Sequence, residues 1–226
     1  MLWSVEMCPE FESDFEALPE EVQDELLAKL HMLKHLGPAL GRPHVDTLGG
    51  SRHSKMKELR FSADDGVWRV AFAFDPARCA LLLVAGDKAG ISERLFYRRL
   101  IKRADERFDR HLSRGQEMYK TLDEVMSEMP PRRRKEIEAR GRELIREELT
   151  LQVLRKQLEI TQENMAERLE IRQGNISKVE SRGDMLISTL RNYLEAMGGK
   201  LELVAHLPGR APITIEGLAE GRASRE

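Results

Sequence analysis

The strongest constraint on this chain is a change in the spacing of its apolar residues part-way along. Three strand-like runs lie close together at residues 56–61, 67–74 and 79–85. The turn-like connectors Asp64-Asp65-Gly66 and Asp75-Pro76-Ala77-Arg78 join them. Before them, Phe11, Phe15 and Leu18 recur at helical spacing up to Pro19, and Val22, Leu26, Leu30 and Leu33 form a second stripe ending near Gly37-Pro38. Residues 2–7 alternate loosely as a short strand, and residues 37–54 are a loop rich in Gly, Pro and Ser. Residues 95–112 close the region as a helix, with Phe96, Leu100, Ala104 and Phe108 on one stripe and a basic face opposite. This order predicts an α+β domain over residues 1–114, an antiparallel sheet with helices on one face.

The pattern then changes. Residues 115–135 lack a core periodicity and end in Pro130-Pro131 and Arg132-Arg133-Arg134, which predicts a linker. Residues 136–198 are dense in helix formers, broken at Ile160-Thr161, 171–173 and Gly183, and four or five short helices fit. After Gly198-Gly199, residues 201–207 and 213–215 are placed to pair as a terminal β-hairpin around Pro208-Gly209. The prediction is therefore a second, all-α domain over residues 136–226. The length, 226 residues, suits two domains of about 100–150 residues.

Net charge is −2, but its distribution is uneven. Residues 1–37 hold 2 Lys+Arg against 9 Asp+Glu, whereas residues 38–114 hold 16 against 10. An acidic start followed by a basic stretch suggests one face shaped for a polyanion, with plain solvated surface as the alternative. No apolar run approaches the ~20 residues of a membrane span, and the N-terminus lacks the pattern of a secretory signal. Cys8 and Cys79 are too few for a disulfide framework and lack metal-ligand spacing. A cytoplasmic protein is expected.

In the second half, Thr161 is placed to cap a helix that turns Met165, Ala166 and Leu169 inward. After Glu170-Ile171-Arg172, a short helix would expose Gln173, Asn175, Ser177 and Lys178, side chains suited to base edges and phosphates in a major groove. With its Thr-Gln start, the Ile-Ser-Lys-Val-Glu core at 176–180 and Arg182-Gly183, this segment resembles the helix-turn-helix of XRE/Cro-type repressors. The resemblance implies Gln162, Gln173, Asn175, Ser177 and Lys178 as contacts to operator DNA, and a homodimer on a palindrome. Gly174 departs from it, costing roughly 1 kcal/mol against Ala inside a helix.

In the first half, strand alternation sets Glu58 and Arg60 on the face opposite Leu59 and Phe61, and Arg69 with Ala71 and Ala73 opposite Val70, Phe72 and Phe74. If the helices cover the apolar face, Glu58, Arg60 and Arg69 project from the open side, and the small Ala71 and Ala73 leave room for a ligand. Lys57, Lys88 and Tyr97 stand nearby in sequence terms, as does His53, a loop histidine more simply read as solvated. RNA cleavage from its own 2′-hydroxyl needs a base, cations for the phosphorane and a donor for the leaving oxygen. Glu58 or Lys57 could be the base, Arg60 and Arg69 the cations, and Lys88 or Tyr97 the donor or stacking group. A basic phosphate-binding face without catalysis satisfies the same pattern.

Residues 37–43 (Gly-Pro-Ala-Leu-Gly-Arg-Pro), Asp46-Thr47-Leu48, Met56-Lys57-Glu58-Leu59-Arg60, Trp68-Arg69-Val70, Phe74-Asp75-Pro76 and Gly86-Asp87-Lys88 together resemble HigB-type toxins of the RelE/ParE superfamily. The resemblance implies a RelE-like fold over residues 1–112 and ribosome-dependent cleavage of mRNA without metal or cofactor. It places catalysis on Arg60 and Arg69, then on Lys57, Glu58, Lys88 and Tyr97. Such toxins are normally encoded just before an XRE-type antitoxin, and Met118-Tyr119-Lys120-Thr121-Leu122 resembles an antitoxin's start. The chain thus resembles a toxin fused to its antitoxin, inhibited within or between chains and repressing its own operon. The charged helix over 135–149, with Glu136, Glu138, Glu143, Glu147 and Glu148, is expected near the cationic toxin. Two other readings stay open: a transcriptional regulator with a catalytically inactive RelE-like domain, and a ParE-like topoisomerase inhibitor.

Overall fold

A computed structural model describes residues 2–75, 78–114, 119–181 and 185–215. Pro76-Ala77 of the predicted connector, Met118, and Arg182-Gly183 of the helix-turn-helix pattern lie outside the described residues. The chain divides into two compact units, residues 1–149 and 150–226. Each is mainly the product of its own apolar pattern, the first mixed α+β and the second mainly helical.

The first unit begins with β1 (Ser4–Met7), α1 (Pro9–Glu16) and α2 (Glu20–Leu36). Strands β2 (Val45–Thr47), β3 (Met56–Ala63), β4 (Gly66–Phe74) and β5 (Cys79–Asp87) follow, then α3 (Glu93–Arg114). Next come β6 (Lys120–Thr121), α4 (Leu122–Glu128) and α5 (Pro131–Glu148). The six strands form one sheet in the order β2-β3-β4-β5-β1-β6. Neighbours are antiparallel except β1, which runs parallel to β5. Asp64 and Asp65 turn β3 into β4 with φ of 50° and 56°, the left-handed pair a tight hairpin of this twist needs and short polar side chains tolerate.

Two expectations are corrected here. The face bearing Glu58, Arg69, Ala71 and Ala73 is covered, not open. Ala71 and Ala73 are fully buried, and the α-hydrogen position of Gly86, which pairs with Arg69, lies against the ring of Phe96 in α3. The basic, amphipathic α3 buries Phe96, Leu100, Ala104 and Phe108 on this side of the sheet, so the small residues make room for a helix instead of a ligand. The stretch 115–135 is likewise no free linker where it is described. Pro130 and Pro131 start α5 as its N-cap and first residue, a position where proline's fixed φ and missing N–H cost nothing. The arginine triplet is therefore helical, and the compact units divide after Leu149 instead of near residue 114.

Helix α5 packs along α2. The predicted stripe of α2 is buried, and so are Leu27 and Ala28, because α5 lies along a second face through Ile137, Gly141 and Leu144. A Cβ on Gly141 would stand 2.8–3.0 Å from the His31 side chain, so the helices approach as closely as glycine permits. Arg133 donates to Asp24 at 2.7 Å and Arg140 to Glu25 at 3.4 Å. Here the expected polarity is reversed: arginines of α5 meet the acidic N-terminal helix, and the acids of α5 do not face a cationic patch. The exception is Glu148, 3.0 Å from His44.

Both histidines at this interface sit below their ordinary range. Burial lowers His31, reinforced by the stacked His35 and by Lys34 and Arg142, with Glu138 opposing. Burial and Lys29 lower His44, with Glu148 and Glu147 opposing. A histidine held neutral in the folded state leaves stability intact above its unfolded value and loses it as pH falls below. The first unit is therefore expected to melt a few degrees lower at about pH 5.5 than at about pH 7.5. Replacing His31 and His44 with glutamine flattens that dependence; an unchanged slope contradicts this origin.

The second unit comprises α6 (Leu151–Gln157), α7 (Gln162–Arg168), α8 (Gln173–Ser181) and α9 (Ile187–Ala196), then the hairpin of β7 (Val204–Ala205) and β8 (Ile213–Thr214). Met165, Ala166, Ile176 and Tyr193 form its core, with Leu151, Ile160, Leu169 and Val179 against them. Thr161 caps α7, its hydroxyl accepting the Asn164 amide at 3.1 Å, which is why the chain breaks at Ile160-Thr161. The break expected at Gly183 lies outside the described residues.

Candidate active site and nucleic-acid interface

Strands β3 and β4 pair Arg60 with Arg69 and Glu58 with Ala71, so alternation puts Glu58, Arg60 and Arg69 on one face. Glu58 is 3% exposed and is the hub of the cluster. Its Oε1 accepts from Arg60 Nε at 2.9 Å and also from Arg60 Nη2. Its Oε2 accepts from the Tyr97 hydroxyl at 3.0 Å and lies 3.8 Å from Arg69 Nε. Tyr97 comes from the first turns of α3, the helix that covers this face. Lys88, just past β5, places its ammonium 5.5 Å from the centre of the Tyr97 ring and 3.0 Å from Glu93, a cation–π geometry.

Five of the six proposed catalytic side chains therefore converge: Glu58, Arg60, Arg69, Lys88 and Tyr97. Lys57 does not. It alternates to the opposite face and donates to the Thr47 hydroxyl at 2.8 Å, because neighbouring residues of a strand point to opposite sides. His53 is likewise elsewhere, 2.9 Å from Asp109 on α3.

One participant escaped the sequence reading. Asp46 on β2 bridges Arg42 at 2.7 Å and Arg60 at 3.0 Å. The bond from Arg42 and that from the Thr47 amide hold its carboxyl below the usual range. Asp46 lies within a quoted motif, but β2 has only three residues and no hydropathy signal marks it as a strand. Arg60 is thus gripped on two sides by carboxylates, chiefly by Glu58, which drives its already high pKa further up. Its side chain keeps 31% exposure, whereas Arg69 is mostly buried and donates to the Trp68 carbonyl at 2.8 Å. Chemically the cluster offers two fixed guanidiniums, an ammonium and a phenol around one buried carboxylate. Among the described residues, no group of three or more His, Cys, Asp or Glu is arranged to hold a metal ion.

In the second unit, residues 169–172 join α7 to α8 tightly, with Glu170 at φ 54°. Gln173, Asn175, Ser177 and Lys178 are all exposed on α8, while Ile176 is buried beneath them. Gln162 is different. Its amide donates to Glu180 at 3.0 Å, joining a buried network in which Arg155 reaches Glu180 at 2.5 and 3.2 Å and Tyr193 donates to the same carboxylate. Burial pushes Glu180 up, but the bonds from Arg155, Tyr193 and Gln162 win and hold it below its usual range. Gln162 thus braces the recognition helix, and the exposed α8 side chains are left to meet a ligand.

This sheet, with its arginine pair, is the scaffold of a bacterial toxin domain joined to a helix-turn-helix unit. A family model described as phage-derived protein Gp49-like matches residues 13–109. Two proteins of Mycobacterium tuberculosis strain H37Rv that carry toxin names are similar. HigB2 is 48% identical over 97 residues, covering 42% of this chain and 48% of HigB2. HigB3 is 41% identical over 110 residues, covering 49% of this chain and 94% of HigB3. The chain thus spans about half the length of HigB2 and nearly all of HigB3, and it belongs to the HigB-type toxin family. A solved structure, described as induced DNA bending by unique dimerization of HigA antitoxin, is 32% identical, covering 32% of this chain and 95% of that one, at a TM-score of 0.28. Among the described residues, no helix is long and apolar enough to cross a membrane.

Proposed function

We propose that residues 1–114 are a metal-independent endoribonuclease that cuts mRNA on the ribosome. The rest of the chain would neutralise it and repress its operon by binding operator DNA. The observation carrying the first part is the convergence of Arg60, Arg69 and Tyr97 on Glu58. A scissile phosphate seated against the exposed guanidinium of Arg60 competes with Glu58 for it. The released carboxylate oxygen then takes the 2′-hydroxyl proton, the 2′-oxygen attacks phosphorus, and the two guanidiniums hold the phosphorane charge. Tyr97 and Lys88 flank the path of the leaving 5′-oxygen, the phenol as proton donor and the ammonium as its electrostatic support. Lys57, on the opposite face, has no part in this scheme.

Expression of residues 1–114 alone is expected to arrest growth and cut translated mRNA, while the full chain does neither. Loss of supercoiling with intact mRNA would instead favour topoisomerase inhibition, and no effect from either form would leave a regulator with an inactive domain.

The second part rests on the four exposed polar residues of α8. Lys178→Ala is expected to weaken operator binding evenly across sequences and to reduce the salt dependence by about one counterion. Asn175→Ala is expected to cost about 1–3 kcal/mol and relax preference at one base pair. Salt-titrated binding to the chain's own promoter distinguishes the two; equal salt slopes for Lys178→Ala and the parent would remove Lys178 from the interface.

A further inference from the structure

Residues 119–149 have no counterpart in the catalytic scheme, yet they fold into the first compact unit. At one end, Thr121 and Lys120 pair with Glu6 and Met7 of β1, closing a sheet edge that would otherwise present unpaired backbone groups. Tyr119 is buried, its hydroxyl 3.2 Å from His111. Thr121 and Glu124 form a reciprocal capping box at the start of α4, and Asp123 reaches Lys34 of α2. In the middle, α5 lies along α2 with Arg133 on Asp24, Arg140 on Glu25 and Gly141 against His31. At the far end, Glu148 meets His44, and two residues beyond His44 stands Asp46, which grips Arg60.

The charge fits as well. Helix α5 carries 7 Lys+Arg against 5 Asp+Glu, and the 37 residues that begin the chain carry 9 acids against 2 bases. The segment also leaves the arginine cluster unplugged. In the sheet order, β5 and β1 separate β6 from β4, and Arg60 stays about one third exposed.

We propose that residues 119–149 are the neutralising element of this chain: a strap that restrains the ribonuclease from the sheet edge and from α2, without filling the arginine cluster and without help from the DNA-reading unit. The proposal rests on the ribonuclease reading above and locates its regulation. A tethered strap has a high effective concentration, so it stays engaged although each contact is individually modest. Its last residues pull on the β2 strand that fixes Arg60, which ties strap release to freedom of the arginine to meet a phosphate.

The test uses the full chain. Arg133→Glu with Arg140→Glu, and separately Gly141→Leu, are expected to raise amide exchange in α5 about tenfold or more and to switch on mRNA cleavage in a reconstituted translation reaction. Adding Asp24→Arg and Glu25→Arg to the charge-reversed chain is expected to restore both slow exchange and silence. Asn175→Ala with Lys178→Ala, which disables DNA reading, is expected to leave the chain silent. Unchanged α5 exchange in both released variants, or cleavage switched on by the α8 double variant, overturns the proposal. So does a released α5 without cleavage when residues 1–114 do cleave. If residues 1–114 are silent too, the ribonuclease reading has failed and the strap's neutralising role falls with it.

Discussion

Arg60→Ala and Arg69→Ala are each expected to cut the cleavage rate of residues 1–114 by about 10²–10³-fold, the usual loss when one fixed donor to a developing oxyanion is removed. Their stability effects should differ. Arg60 is partly exposed and shared between Glu58 and Asp46, so its removal costs little fold stability. Arg69 is mostly buried beside Glu58, so its removal also leaves a buried carboxylate less compensated, at about 1–3 kcal/mol. Arg60→Lys keeps a charge but loses the planar fork that spans both carboxylates, and should recover only part of the rate. Cleavage rates read beside thermal melting separate the two effects; a folded Arg60→Ala protein that cleaves normally would remove the arginine from the chemistry.

The largest structural effect is expected at Glu180. The Arg155 and Glu180 side chains are 6% and 4% exposed, and Glu180 gathers bonds from Arg155, Tyr193 and Gln162. Truncating it to alanine strands the Arg155 guanidinium in the interior, which costs about 3–5 kcal/mol. Such a loss approaches the whole stability of a small helical unit. Glu180→Ala should therefore unfold residues 150–215 and abolish operator binding, while the melting of the first unit is unchanged. A folded, DNA-competent Glu180→Ala chain would show that the network contributes little.

Much of this arrangement could be read from the residues alone, and the failures share a cause. Strand alternation correctly brought Glu58, Arg60 and Arg69 together, because period two is a property of the backbone itself. The same rule, applied to Lys57, would have set it on the other side. Which face α3 covers is not a local property. Gly86 and the two alanines read equally well as room for a ligand or for Phe96, and the helix took it. Two-residue β6 and three-residue β2 are too short for any periodicity, so neither the sheet edge nor Asp46 was visible. Pro130-Pro131 read as a break between domains because proline both ends and begins helices; only packing against α2 decides which. Gln162 shows the same limit in the second unit, where an interior partner 18 positions away outweighs a surface-like context.

The central claim is that a cluster without a metal directs an mRNA's own 2′-hydroxyl against its neighbouring phosphate. The direct measurement is the chemistry of the fragment ends made by residues 1–114 on translating ribosomes, with EDTA added only after ribosomes have been stalled on the message. The account predicts upstream fragments ending in a 2′,3′-cyclic phosphate or 3′-phosphate and downstream fragments beginning with a 5′-hydroxyl, with Arg60→Ala yielding neither. Fragments with 3′-hydroxyl and 5′-phosphate ends, or a message left whole while growth still stops, would contradict it.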